Sequence, residues 1–225
     1  LEDREKIRSI LDKVVSNEIA EKILNGNLSL GGECKEISVL FVDIRNFTRT
    51  TEHMPADKVI LFLNHFMSHM SKTIDAHGGV IDKFVGDEIM VLFGAPIASE
   101  NHALQAVQTA CSMIQELDSI NSQYKKDNFP PIQIGIGINS GEVVLGNMGT
   151  KNRLNYTALG SSVNLASRLC SAARENEILI SEFTFQEPEI DKNFIITPGE
   201  LREYKGFSER ILTYVVQKIK KTENT

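Results

Sequence analysis

Apolar positions recur along the chain with two different spacings, and together these predict an alternation of strands and helices. Residues 36–44, EISVLFVDI, form a short run rich in apolar and β-branched side chains, which is typical of a buried strand. Helical spacing predicts helices over residues 1–24, 54–77, 98–124 and 162–173. Further strands are predicted on either side of a tip within residues 81–94, on either side of a Gly turn within 132–149, at 177–181, and as a closing hairpin within 201–216.

The order of these elements is strand, helix, hairpin, helix, strand, with additions at the C-terminal end. This order predicts an α+β fold of the ferredoxin-like split βαβ, or palm, type, in which an antiparallel sheet carries its helices on one face. We expect one domain over residues 33–217. An N-terminal helical coupling segment over residues 1–32 precedes it, and a polar tail over residues 218–225 follows it.

Composition narrows the possible partners. The net charge is −6, from 30 acidic and 24 basic residues, which argues against a nucleic-acid binder because duplex DNA requires a basic face. Three widely spaced cysteines with no C-x-x-C pair support neither a zinc site nor a disulfide framework, so we expect a reducing, cytoplasmic setting. No apolar run is long enough to span a bilayer, so we expect no direct membrane contact from this fragment.

Two carboxylates are predicted to lie close together. Asp43 ends the first predicted strand, and Asp87 lies on the hairpin tip, where Gly86 supplies the positive φ of a tight turn. In the split βαβ order that strand and that hairpin are neighbours. Two carboxylates together with phosphate oxygens form a ligand set that Mg²⁺ accepts, although each residue alone is more simply an ordinary strand-end Asp or turn Asp.

The chain lacks the P-loop motif G-x-x-x-x-G-K-[ST], so another segment would have to bind the phosphate groups of a nucleotide. The segment after Asp43, IRNFTRTT, offers the backbone N–H groups of Phe47 and Thr48 near a helix start, which is a generic cradle for an anion. Asn164 and Arg168 are four residues apart and therefore project from one helical face. Such a pair is usually only solvated, but near a polyphosphate Arg168 becomes a candidate to stabilise developing negative charge.

Four segments together resemble the catalytic domain of a class III nucleotide cyclase: VLFVDIRNFT, DKFVGDEIMVLFG, GIGINSGEVVLGNMG and YTALGSSVNLASRL. They occur in the order of that family, and the resemblance covers roughly residues 33–216. The start, VVSNEIAEKILNG, is similar to the segment that joins such domains to an upstream sensory module. We therefore expect the chain to be a fragment of a parent protein that carries such a module, and the sequence leaves open whether that parent is membrane-tethered.

The resemblance implies a homodimer with two equivalent sites, each built from both chains. One chain would bind two Mg²⁺ or Mn²⁺ ions in each site through Asp43 and Asp87, with help from the Ile44 carbonyl. The residues implied for the other chain are Lys83 and Thr157 for the purine, Asn164 for the ribose, and Arg168 and Lys205 for the triphosphate. The implied reaction is attack of the ribose 3′-hydroxyl on the α-phosphorus, with release of pyrophosphate.

The base is expected to be adenine. Lys83 can donate to N1 of adenine, whereas guanine carries a hydrogen there. Guanylate cyclases of the family resemble each other in having Glu and Cys at the positions of Lys83 and Thr157. The chain is similar instead to a Thr-bearing subgroup that includes bicarbonate-responsive cyclases, and this resemblance suggests the hypothesis that bicarbonate activates it. Ser161 and Gln133 depart from the family pattern, and we expect modest effects from them.

Three alternatives stay open. The chain could be a guanylate cyclase, or a catalytically silent cyclase-like domain that binds nucleotide or only dimerises. The silent reading is disfavoured because the metal and Asn/Arg residues are all present. Another palm-fold enzyme, such as a diguanylate cyclase, is disfavoured because the tip reads Val-Gly-Asp-Glu-Ile instead of Gly-Gly-Asp/Glu-Glu-Phe.

Overall fold

The structure is a computed structural model, and it describes residues 31–150 and 153–220. Within these ranges the strands are β1 (Gly31–Ile44), β2 (Val80–Val85), β3 (Glu88–Phe93), β4 (Ile134–Thr150), β5 (Arg153–Leu159), β6 (Glu177–Ser181), β7 (Phe194–Arg202) and β8 (Ile211–Ile219). The helices are α1 (Phe47–Thr51), α2 (Ala56–Ala76), α3 (His102–Lys126), α4 (Ser161–Ala172), α5 (Glu182–Phe185) and α6 (Ile190–Asn193).

All of these strands belong to one sheet. Its order is β2-β3-β1-β4-β6-β8-β7, and β5 pairs with β4. Every pairing is antiparallel except that of β4 with β6. The first four strands have the arrangement β2-β3-β1-β4, which is the split βαβ order. The α+β fold class expected from the sequence is confirmed, and β6, β7 and β8 are the C-terminal additions.

Both faces of β1 are covered, which explains its continuous apolar run. Leu40 and Val42 pack with α2 and α3 on one face. Val39 and Phe41 belong to a second cluster on the other face, together with residues of α4. Because successive strand residues point to opposite faces, a strand buried on both sides has no polar alternation.

Helix α4 departs from the expectation that the helices share one face. Its residues Ala166 and Cys170 pack on the face of β1 opposite to α2 and α3. Gly137 of β4 makes this approach possible, since a Cβ there would lie 2.0 Å from the Cys170 backbone nitrogen and 2.4 Å from the Ala166 carbonyl oxygen. The helix backbone therefore rests directly on the strand.

Replacing Gly137 by Ala is expected to lower the free energy of unfolding by about 3 kcal/mol, because the helix has to move away from the sheet. Gly86→Ala is the matched control. Nothing lies within 4 Å of the Cβ added there, and its φ of 65° predicts a loss of only about 1 kcal/mol from backbone strain. Denaturant unfolding of the two variants measures the difference, and equal losses would contradict the close packing of α4.

Several element boundaries differ from the prediction. The segment read as strand, Gly turn and strand is one strand, β4, which continues through Gly141 at a φ of 154°. The strand β5 was not predicted. Residues 31–32, assigned to the coupling segment, pair in β1, and residues 218–219, assigned to the tail, belong to β8. The predicted helix over residues 1–24 lies outside the described residues.

None of the helices within the described ranges combines the length and the apolar character that are needed to cross a membrane.

Candidate active site

The sheet order brings Asp43 and Asp87 together. Asp43 is the second-last residue of β1, and Asp87 lies in the turn between β2 and β3. Because Val42 pairs with Ile89, the start of β3 lies beside the end of β1. Burial, a hydrogen bond to Asp43 and the charge of Asp43 raise the pKa of Asp87 to about 7, while the Ile44 N–H donates to the Asp87 carboxyl and opposes this shift. The two carboxylates are therefore adjacent in the structure, as the order of the elements predicted.

The carboxyl groups around Asp43 and Asp87 outnumber the cationic side chains next to them. The Nη2 atom of Arg45 donates to Oδ2 of Asp43 at 2.7 Å, and its Nη1 atom is held by the carbonyl oxygens of Cys170 and Ala173 at 3.2 Å each. Burial and the charge of Asp43 also raise the pKa of Glu88. One guanidinium does not neutralise this group, so the carboxylate pair fits a hard divalent cation.

The pair does not make a complete metal cage. Among the described residues no group of three or more His, Cys, Asp or Glu side chains is arranged to hold a metal ion. A cation at Asp43 and Asp87 would therefore take further oxygen ligands from outside these side chains. Backbone carbonyls such as that of Ile44, and the phosphates of a substrate, have the required chemistry.

An open cavity of about 620 Å³ borders Asp43. Its lining residues are Asp43, Ile44, Arg45, Asn46, Arg174 and Glu175. Arg45 and Arg174 were not predicted as site residues. Arg45 lies within the segment VLFVDIRNFT, but the sequence assigns it no role there, and Arg174 lies outside all four of the segments that carry the resemblance. The helix α1 begins at Phe47, so the N–H groups of Phe47 and Thr48 lie in its first turn, and their binding of phosphate stays a prediction.

The residues predicted to read the base form a second cluster. The Nζ atom of Lys83 on β2 donates to Oγ1 of Thr157 on β5 at 2.9 Å. The same Thr157 hydroxyl donates to Oδ2 of Asp82 at 2.8 Å, and Lys83 Nζ lies 3.1 Å from that oxygen. Sequence reasoning missed Asp82. Its role depends on a register shift between β2 and β3 at Ile81 and Lys83, which no sequence pattern shows.

The residues predicted to act on the ribose and the triphosphate form a third cluster, around α4. The Arg168 guanidinium lies 5.8 Å from the centre of the Phe207 ring, and its Nη1 atom is buried without a hydrogen-bond partner. The exposed Lys205 is on the same loop as Phe207, and the exposed Asn164 is one turn earlier on α4. A buried guanidinium nitrogen without a partner is suited to an anionic ligand.

The hairpin of β2 and β3 contributes to two of these clusters. Lys83 and Asp82 reach Thr157, whereas Asp87 reaches Asp43. Lys83 and Asp87 are four residues apart, yet their side chains have different partners. One hairpin therefore presents a cation and a carboxylate to two different places.

A family model described as the adenylate and guanylate cyclase catalytic domain matches residues 32–218. The chain is 38% identical over 219 residues to a protein of Dictyostelium discoideum named "Adenylate cyclase, terminal-differentiation specific", covering 93% of this chain and 10% of that protein. It spans between 10% and 38% of the length of the curated relatives that it matches first.

Two solved structures are similar over nearly the whole described fold. The guanylyl cyclase Cya2 is 34% identical with a TM-score of 0.82, and the match covers 87% of this chain and 98% of Cya2. The adenylyl cyclase CyaB from P. aeruginosa is 36% identical with a TM-score of 0.80, and the match covers 84% of this chain and 97% of CyaB. One of these relatives is named as a guanylyl cyclase and the other as an adenylyl cyclase. Similarity to both therefore does not indicate which purine this chain binds.

Proposed function

The chain belongs to the adenylate and guanylate cyclase catalytic domain family, and on that premise we propose that it converts ATP to 3′,5′-cyclic AMP and pyrophosphate. The observation that carries the choice of ATP is the contact of Lys83 with Thr157 at 2.9 Å. The ammonium group donates a hydrogen bond to N1 of adenine, whereas N1 of guanine carries a hydrogen and would face a second donor.

The chain's other residues take the roles that the reaction needs. Asp43 and Asp87 would hold two Mg²⁺ or Mn²⁺ ions with the Ile44 carbonyl, and Phe47 and Thr48 would offer backbone N–H groups to the phosphates. When bound, the ions supply Lewis-acid activation of the 3′-hydroxyl and neutralise charge on the leaving pyrophosphate. Asn164 orients the ribose, and Arg168 and Lys205 bind the phosphate oxygens as charge develops on them.

A homodimer with two composite sites is the assembly that we propose. Exposed apolar side chains occur on both hairpins that carry the base-reading residues, and they include Phe84, Val85, Val144 and Met148, which are between 42% and 54% exposed. Such surfaces usually mark an interface. The different directions taken by Lys83 and Asp87 fit a hairpin at a two-fold axis, where each side chain serves a different site.

The proposal is tested by measuring cyclic nucleotide formation from ATP and from GTP with Mg²⁺ or Mn²⁺. We expect cyclic AMP from ATP, with GTP a poor substrate. Preference for GTP would overturn the roles given to Lys83 and Thr157 and would favour the guanylate cyclase alternative that the similarity to Cya2 supports. No product over a range of protein concentrations that forces dimerisation would favour a silent signalling domain.

The pair Lys83→Glu and Thr157→Cys is expected to raise the ratio of GTP to ATP turnover by about a hundredfold, because a carboxylate accepts from N1–H of guanine. Initial rates with each nucleotide measure this ratio. Lys205→Glu is the matched charge-reversal control, since its proposed contact is with the triphosphate that both substrates share. An unchanged ratio in the double variant would mean that these two positions do not read the base.

Bicarbonate is proposed as an activator on the basis of Thr157. We expect a higher initial rate in bicarbonate than in chloride when pH and ionic strength are held constant. Equal rates in the two salts would remove this part of the proposal. We also propose that the chain acts in the cytoplasm as the output domain of a longer protein with an upstream sensory module.

A further inference from the structure

Asp82 is a buried carboxylate between the residues that read the base. Its side chain is 1% exposed, whereas that of Lys83 is 43% exposed. Neighbouring residues of a regular strand point to opposite faces, but the register of β2 against β3 shifts between Ile81 and Lys83. This irregularity allows Asp82 and Lys83, which are adjacent in sequence, to contact the same hydroxyl group of Thr157.

Three hydrogen-bond donors surround the Asp82 carboxyl group, and their arrangement fixes the direction of the Thr157 hydroxyl group. Burial raises the pKa of the Asp82 carboxyl, and the three donors oppose this shift by stabilising the carboxylate: the Thr157 hydroxyl, the Lys83 ammonium and the Ala158 backbone N–H. An ionised carboxylate can only accept, so the single hydroxyl hydrogen of Thr157 is directed at Asp82. The Thr157 oxygen accepts from Lys83 and keeps one further lone pair. Lys83 uses two of its three N–H groups on Thr157 and Asp82, and it keeps one for a ligand.

We propose that Asp82 is a positioning residue that sets the purine preference of the site by orienting the Thr157 hydroxyl as an acceptor beside the Lys83 donor. The inference rests on the proposed function, and it adds a residue that does not itself touch the base. Adenine presents an acceptor at N1 beside the donor amine on C6, which matches this order. Guanine and hypoxanthine present a donor at N1 beside an acceptor at O6, which mismatches both positions.

The amide variant removes this control with little change in shape. A carboxamide in place of Asp82 offers a donor as well as an acceptor, so the Thr157 hydroxyl is free to rotate, and the carbonyl oxygen of Ala158, 3.5 Å from Thr157 Oγ1, becomes an alternative partner. A hydroxyl group that can rotate donates to O6 as readily as it accepts from an amine. Discrimination between the two kinds of purine should therefore fall.

The test compares ATP with inosine triphosphate, which differs from ATP only at C6 and N1. We expect Asp82→Asn to lower the ratio of kcat/KM for ATP to that for inosine triphosphate by about tenfold. Both nucleotides are assayed on the same preparation, so a change in the folded or dimeric fraction cancels in the ratio. If Asp82→Asn does not fold, Asp82→Ser serves instead, because a hydroxyl group also both donates and accepts.

A double-mutant comparison identifies the route of the effect. If Asp82 acts through the Thr157 hydroxyl, Asp82→Asn added to Thr157→Val changes the ratio no further than Thr157→Val alone. Thr157→Ser keeps the hydroxyl group and should keep the ratio within about threefold of the parent, as a conservative substitution does when only that group is needed. An unchanged ratio in Asp82→Asn, or an additive loss in the double variant, would overturn the inference.

The failure of this inference can be told apart from failure of the proposed function. A parent chain that makes no cyclic nucleotide from either triphosphate would overturn both. A parent chain that makes cyclic AMP, together with an Asp82→Asn variant that discriminates as well as the parent does, would overturn the role of Asp82 alone.

Discussion

Replacing Asp87 by Asn is expected to reduce cyclic nucleotide formation by about 10³-fold, because the variant loses one of the two carboxylates proposed to hold the metal ions. The fold should not suffer. Asp87 lies against Asp43, and its pKa of about 7 is above that of a free carboxyl group. Folding therefore favours its protonated form, and the folded chain loses stability as the pH rises towards 7. At pH 8 a neutral amide removes both the cost of burying an ionised carboxylate at this position and its repulsion by Asp43.

The measurement therefore has two parts with opposite expected signs. The rate of product formation should fall, while the unfolding temperature of the metal-free variant at pH 8 should equal or exceed that of the parent. Glu88→Gln is the matched control, since Glu88 is the adjacent half-buried carboxylate whose pKa is also raised but which has no proposed metal role. We expect its rate to stay within about threefold of the parent. Equal losses in the two variants would mean that general charge, and not metal binding, explains the effect.

Much of the fold could be predicted because its signals are local. The apolar run of β1 indicated a buried strand, and the apolar runs on either side of Gly86 indicated a hairpin. The adjacency of Asp43 and Asp87 then followed from the order of the elements alone. The same reasoning could not place α4, because an amphipathic helix shows which of its faces is buried but not which face of the sheet it covers. That choice depends on Gly137, whose lack of a side chain matters only once the helix is in place.

The parts of the site that were missed depend on register and on long-range contact. Asp82 reads as an ordinary polar strand residue, and only the register shift beside it brings it to Thr157, 75 positions away. Arg45 likewise acquires its position from the carbonyl oxygens of Cys170 and Ala173. Such features require the structure, whereas roles implied by the resemblance, such as that of Lys205, stay predictions. The strand β5, by contrast, was missed although its polar and apolar residues alternate in the sequence, with Leu154, Tyr156 and Ala158 between Arg153, Asn155 and Thr157.

Equal mixing of two inactive variants, Asp43→Ala and Arg168→Ala, is expected to restore about a quarter of the parent activity if each site takes residues from two chains. Each variant alone leaves both sites of its homodimer incomplete. After random exchange of subunits half of the dimers are mixed. Each mixed dimer then has one site with both substitutions and one site with neither.

The rate of cyclic AMP formation before and after mixing measures this recovery. The matched control is a mixture of Asp43→Ala with Asp87→Ala. Both substitutions affect the carboxylates that one chain provides, so every site in that mixture keeps a defect and no activity should return. Recovery in the control as well would mean that the carboxylates of one site come from different chains. No recovery in either mixture would place Asp43 and Arg168 in a site within a single chain, and the different partners of Lys83 and Asp87 would then need another explanation.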